Sequence, residues 1–204
     1  MNVAEHFISR LESAEIKDSP YKHTYITRAF PQDYYESMLK FLPPDESYTD
    51  RTFDNRAMVR AYDLGGFWQG LSIWMTKQNV LRAVLDLFEL KPSTIKIDVR
   101  LVRDSRGYKI KPHTDIKSKL LSLLFYLAPD ETQPGGGTTV MVPKDRSFTS
   151  DGLSRYPFED FENVYTAPFL PNTMFGFPRS PVSFHGVEPT TVEKRDVLLL
   201  NLYQ

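Results

Sequence analysis

Lys109-Ile110-Lys111-Pro112-His113-Thr114-Asp115 sets an imidazole and a carboxylate two residues apart, at what reads as the end of a β-strand. Side chains at i and i+2 of a strand share a face, with Cα atoms about 6–7 Å apart. Such a pair can chelate one divalent metal ion but leaves it under-coordinated, and the tripeptide alone is common. A third ligand must come from elsewhere, and the choice is narrow. The chain has four histidines and no cysteine, so thiolate sites, disulfides and a cysteine nucleophile are excluded. His6 and His23 fall in a helical N-terminal part and read as surface or structural residues. His185, in Ser183-Phe184-His185-Gly186-Val187, lies in a short β-like segment. Two histidines and a carboxylate on one face of a small β-barrel bind a divalent ion facially and leave three positions open, an arrangement that suits Fe(II) and oxygen chemistry. Farther on comes Arg195, heading Asp196-Val197-Leu198-Leu199-Leu200-Asn201-Leu202-Tyr203. A cation there can reach into the barrel and hold a carboxylate bidentately. Lys194, its neighbour, is the rival for that role.

The elements that must position these groups change in texture along the chain. Up to residue 92 the pattern is mainly helical. Phe7 and Leu11 open an amphipathic start, Tyr25-Ile26 suggests a strand, and Tyr34, Met38, Leu39 and Leu42 follow Pro31 at helical spacing until Pro43-Pro44. A strand is suggested near Ala57–Tyr62, and Phe67–Leu90 reads as one long helix or two. From residue 93 the period becomes two. Ile95–Arg103 alternates, Asp104-Ser105-Arg106-Gly107 reads as a hairpin turn, and Tyr108–Asp115 as the returning partner strand. Leu120–Leu127 is a buried strand by length and composition. Further short strands are expected at 138–142, 164–167, 173–177, 182–187 and 196–203. About eight strands punctuated by Gly and Pro indicate a mainly β protein with α, a jelly-roll core flanked by N-terminal helices. The whole chain reads as a single domain. The longest connection, 143–163, carries Phe148, Tyr156, Phe158 and Phe161 and is a candidate lid.

Composition bounds the rest. The chain of 204 residues is 41% hydrophobic and 25% charged, with a formal net charge of −1, which argues against a nucleic-acid partner. No run of 18 apolar residues predicts a membrane span, and Met1–His6 shows no signal peptide, so a cytoplasmic location is expected. Oligomeric state is not legible.

Gly107-Tyr108-x-Ile110-x-Pro112-His113-Thr114-Asp115, Leu123-Leu124-Phe125-Tyr126-Leu127, Gly136-Gly137-Thr138, and Ser183-Phe184-His185-Gly186-Val187-x-Pro189 with Arg195-Asp196 resemble the Fe(II)/2-oxoglutarate-dependent dioxygenase superfamily, most closely its prolyl-4-hydroxylase-like branch. The resemblance covers roughly residues 95–204, the double-stranded β-helix. It implies that His113, Asp115 and His185 ligate Fe(II) and that Arg195 clamps the far carboxylate of the 2-oxoglutarate cosubstrate. It further implies a cosubstrate-binding role for Tyr126, and Tyr108 is a weaker candidate beside it. Dioxygen is the oxidant, with ascorbate as a supporting reductant. A carboxylate at Asp115 leaves no vacancy for halide, which favours hydroxylation or desaturation. The expected substrate is a small polar metabolite, an amino acid or natural-product intermediate. The alternatives are a peptide or protein hydroxylase and, from another class, a cupin-like metal- or sugar-binding protein without oxygenase activity. Arg100 and Arg103 lie on opposite faces of one strand, so at most one can point inward. Lys117 and Lys119 stand at the rim.

Overall fold

Two antiparallel sheets face each other, and the helices lie on the outer face of the larger one. The computed structural model describes residues 2–53, 55–132 and 135–204, without the side chains of Thr52 and Phe53. Its elements are α1 (Val3–Glu12), β1 (Thr24–Thr27), α2 (Gln32–Lys40), β2 (Asp50–Phe53), β3 (Arg56–Arg60), α3 (Gly66–Met75), α4 (Gln78–Leu87), β4 (Lys96–Ser105), β5 (Ile110–His113), β6 (Lys119–Tyr126), β7 (Thr138–Pro143), β8 (Phe161–Ala167), β9 (Thr173–Pro178), β10 (His185–Val187) and β11 (Lys194–Tyr203). The larger sheet runs β1-β9-β6-β11-β4-β3-β2 and the smaller β5-β10-β7-β8. The expected mainly β fold with flanking helices is therefore present. Among the described residues, no helix is long and apolar enough to cross a membrane.

The apolar runs at 120–127 and 197–202 follow from double burial. On β6 and β11, Leu121, Leu123, Phe125, Leu198, Leu200 and Leu202 face the helices, packing with Phe7, Tyr35, Trp74 and Val84. The alternate positions, Tyr126 and Val197, face the smaller sheet with Phe175 and Phe177. A strand covered on both faces has no solvent side to keep polar, so alternation disappears. Phe7, Phe30 and Phe125 form the seam between helices and sheet, with ring centroids 5.2–5.9 Å apart.

Two expectations need correction. Residues 104–107 do not close a hairpin: β4 pairs with β11 and β3, while β5 pairs with β10 in the other sheet. The chain crosses between sheets there, and Gly107, at φ +83°, donates its N–H to the Thr190 carbonyl. Local pattern shows that a strand ends and another begins, but not which partner each will find. The strands expected at Tyr25-Ile26 and near Ala57–Tyr62 are present as β1 and β3, and with β2 they extend the larger sheet at its two ends. Strand β10 is confined to His185–Val187, shorter than the 182–187 segment. Residues 67–90 resolve into two helices, with extended backbone at Lys77 between them.

Candidate active site

His113 closes β5 and His185 opens β10, and the two are direct cross-strand partners. Their rings lie 4.4 Å apart between centroids, and Phe177 stands 4.4 Å from His185 on the other side. Each imidazole is oriented by the backbone two residues before it: Nδ1 of His113 meets the Lys111 carbonyl at 2.9 Å, and Nδ1 of His185 meets the Ser183 carbonyl at 3.0 Å. A proton on Nδ1 leaves the Nε2 lone pair for a metal. Asp115 lies just past β5, and one ligand atom from each of the three residues falls within 4.8 Å of the others. Asp115 Oδ1 accepts from Lys119 Nζ at 2.9 Å and Oδ2 from Ser122 Oγ at 2.9 Å. Each carboxylate oxygen has a second lone-pair direction, so these contacts orient the group without exhausting it. The donor set fits one divalent ion.

The electrostatics agree. Burial, then the neighbouring His185, holds His113 down at about 3, and burial likewise lowers His185. Both imidazoles are thus neutral, as metal ligands must be. Burial would raise Asp115, but Lys119 first, and then the two histidines, outweigh it and keep the carboxyl below its ordinary value.

These three residues line a cavity of about 930 Å³ between the sheets. Leu124, Phe177, Val187 and Leu199 give it an apolar wall. Arg195 lines it too, only 1% exposed, and donates through Nε to the Gly136 carbonyl, through Nη1 to Asp104 at 2.7 Å and through Nη2 to Thr138 Oγ1 at 3.4 Å. Lys194, on the opposite face of β11, instead meets Asp45 at the surface. Tyr108 borders the cavity under the guanidinium of Arg56, 4.2 Å from its ring centroid, and burial pushes its hydroxyl up to about 12. Tyr126 is not among the lining residues: its ring lies beneath Arg195, 5.5 Å from the guanidinium carbon, and its hydroxyl accepts from the Thr138 N–H at 3.0 Å.

Other candidates lie elsewhere. His6 contacts the Arg28 carbonyl, and His23 is buried against the Tyr21 carbonyl. Arg100 shares the face of Asp104 on β4 but is held by Asp98 and Asp50, while Arg103 is held by Asp196 and Asp45. Of the two rim lysines, Lys119 joins the site and Lys117 does not line it. The connection between β7 and β8 turns Phe148 and Tyr156 inward onto Phe184 and sets Gly152, Leu153, Ser154 and Arg155 on the cavity.

Sequence reasoning missed Arg56, Asp104, Ser122 and Asn201. A signal existed for two of them, since Ser122 and Asn201 are polar interruptions of apolar runs, and they are cross-strand partners. Among the described residues, Asn201 Oδ1 and Thr114 Oγ1 are buried without a hydrogen-bond partner, and both residues line the cavity.

No family model and no curated protein matches the sequence. Solved structures do match. A Pseudomonas putida prolyl-4-hydroxylase superposes with a TM-score of 0.63 at 14% identity, covering 98% of each chain. The fold is that of the 2-oxoglutarate/Fe(II) oxygenases. A Burkholderia pseudomallei protein of the 2-oxoglutarate-Fe(II) oxygenase family gives a TM-score of 0.58 at 12% identity over 99% of this chain and 90% of that one. HygX from Streptomyces hygroscopicus, solved with nickel and 2-oxoglutarate bound, gives 0.58 at 11% identity over 89% and 82%. In this oxygenase fold the His113–Asp115–His185 cluster lies between the two sheets, on β5, β10 and the segment just after β5.

Proposed function

We propose that the chain is an Fe(II)/2-oxoglutarate-dependent dioxygenase that hydroxylates a small polar molecule. One observation carries this reading: His113, Asp115 and His185 converge on a shared cavity that Arg195 also lines. The oxygenase fold supports it. His113 and His185 would hold the ion through Nε2 and Asp115 through one carboxylate oxygen. An iron ion held there would supply the oxidative chemistry by which 2-oxoglutarate and dioxygen would give succinate, carbon dioxide and a hydroxylated substrate. Ascorbate would keep the metal ferrous.

The chain's own work is placement and exclusion of water. Arg195 binds the far carboxylate of the cosubstrate, with Tyr108 bordering it and Tyr126 supporting the guanidinium from below. Leu124, Phe177 and Leu199 shield the centre, and the paired Lys119 and Ser122 hold Asp115 in one rotamer. A cavity of about 930 Å³, edged by the Gly152–Arg155 strap, suits a metabolite better than a long peptide. Because Arg56, His113 and Arg195 come from both parts of the sequence, residues 1–204 act as one catalytic unit.

The test is anaerobic addition of Fe(II) and then 2-oxoglutarate to the purified chain. A weak visible charge-transfer band is expected, followed by slow uncoupled succinate formation on admitting air. Loss of both in His113→Ala supports the reading. A His113→Ala protein that still produces succinate at the normal rate refutes it, and a wild type that binds metal without the band points to the cupin-like alternative. A screen of amino acids, nucleosides and peptides for stimulated succinate release then tests the substrate class, and stimulation by peptides alone overturns the metabolite reading.

A further inference from the structure

Arg56, Asp104 and Arg195 are direct neighbours across three adjacent strands, β3, β4 and β11. One carboxylate serves two guanidiniums. Asp104 Oδ1 accepts from Arg56 Nε at 2.6 Å, while Oδ2 accepts from Arg56 Nη2 at 2.9 Å and from Arg195 Nη1 at 2.7 Å. The Asp104 side chain is fully buried, and those of Arg195 and Arg56 are 1% and 16% exposed. Both arginines line the cavity that holds the histidine–aspartate cluster.

The charge balance of this trio is what matters. Arg195 with Asp104 alone would be a neutral pair, with no net positive charge to offer an anion. Taking Asp104 bidentately, Arg56 occupies one lone-pair site on each of its oxygens and leaves the trio with one net positive charge. Arg195 has five N–H donors, of which three are committed to Gly136, Asp104 and Thr138, so two remain to bind a carboxylate. In a site of low dielectric, that residual charge acts at far greater strength than at a surface.

We infer that Arg56 is a positioning residue for cosubstrate binding: by neutralising Asp104 from β3 it frees Arg195 to clamp the far carboxylate of a dicarboxylic 2-oxo acid. This rests on the oxygenase reading above and adds a residue outside the 95–204 segment that carries the sequence resemblance. It also gives β3, the neighbour of β4 in the larger sheet, a function beyond support.

The experiment measures the Kd of 2-oxoglutarate anaerobically, from the charge-transfer band of the Fe(II)-loaded full chain. Wild type is compared with Arg56→Met, Arg56→Lys and the double variant Arg56→Met/Asp104→Asn. Mn(II) affinity and far-UV circular dichroism report metal site and fold. Arg56→Met should weaken 2-oxoglutarate by about tenfold or more, with Mn(II) affinity unchanged, because no hydrogen bond or ion pair among the described residues joins Arg56 to His113, Asp115 or His185. Arg56→Lys should fall between Arg56→Met and wild type. In the double variant Asp104 no longer needs neutralising, so binding should recover most of the loss. A purely structural role predicts the opposite order, with the double variant worst. Binding by Arg56→Met equal to wild type, or no recovery in the double variant, overturns the inference while leaving the oxygenase reading intact. A wild type that binds metal but not 2-oxoglutarate overturns both.

Discussion

At the scale of single residues, the candidate metal cluster is oriented by groups outside its own three residues. Ser122 and Lys119 hold the two oxygens of Asp115, and both lie in or at the edge of β6 rather than on the segment that carries Asp115. Partners of this kind typically contribute about 10–100-fold to metal affinity. Ser122→Ala and Lys119→Met are each expected to weaken Mn(II) binding by about that range at pH 7.5, as read by calorimetric titration. An unchanged affinity in both would show that Asp115 is oriented by its backbone alone. Tyr126 is a second case. Its hydroxyl is the acceptor for the buried Thr138 N–H, so Tyr126→Phe leaves that donor unpaired and should cost about 1–3 kcal/mol in urea unfolding.

At the scale of elements, close approach is the recurring constraint. The strap between β7 and β8 touches the Asp115 backbone through Gly152, which has φ +87°, and an added Cβ there would sit 2.1 Å from the Asp115 carbonyl oxygen. Gly152→Ala should therefore destabilise the chain by about 1–3 kcal/mol from backbone strain alone and displace the Asp115 backbone, lowering Tm and Mn(II) affinity together. A normal Mn(II) affinity in a destabilised variant would separate the strap from the site. Gly186 plays the matching part in β10, where a Cβ would lie 2.7 Å from the Ile110 carbonyl and push His185 away from β5. On the far face of the larger sheet, Phe125 joins β6 to α1 through Phe7. Phe125→Ala removes a ring that meets both Phe7 and Phe30 in that seam and should cost about 3–5 kcal/mol, measured by denaturant unfolding with the slope checked for a change in cooperativity.

For the whole molecule, three histidines point the same way in pH. Burial lowers His23 as it lowers His113 and His185. The folded chain keeps these rings neutral, whereas the unfolded chain protonates them as pH falls through about 6.5. The unfolded state then binds more protons, so stability is full above that value and declines below it. His23 is the clean probe because it lies outside the cavity, its ring tilted against those of Phe175 and Tyr165 with its Nε2 buried and unpartnered. The loss of unfolding free energy between pH 7.5 and 5.5 should be smaller in His23→Phe than in wild type, with the remaining slope due to the other two. Equal losses would remove His23 from the account.

The sequence by itself determined which groups could do chemistry and roughly where strands and helices lie. With four histidines and no cysteine, the ligand search had few branches, and the switch from period 3.6 to period 2 near residue 92 marked the change from mainly helix to mainly strand. Periodicity is a local property, set by which faces of a segment are buried, and so it can be read from a short window. Pairing is not local. Only the tertiary structure decided that β4 leaves its apparent hairpin for β11, that β3 from the helical part stands beside it, and that Arg56 and Arg195, far apart in the chain, share the carboxylate of Asp104. A charged residue in a strand looks the same in sequence whether it faces solvent or a buried partner of opposite charge. Its meaning is set by the strand that arrives opposite it.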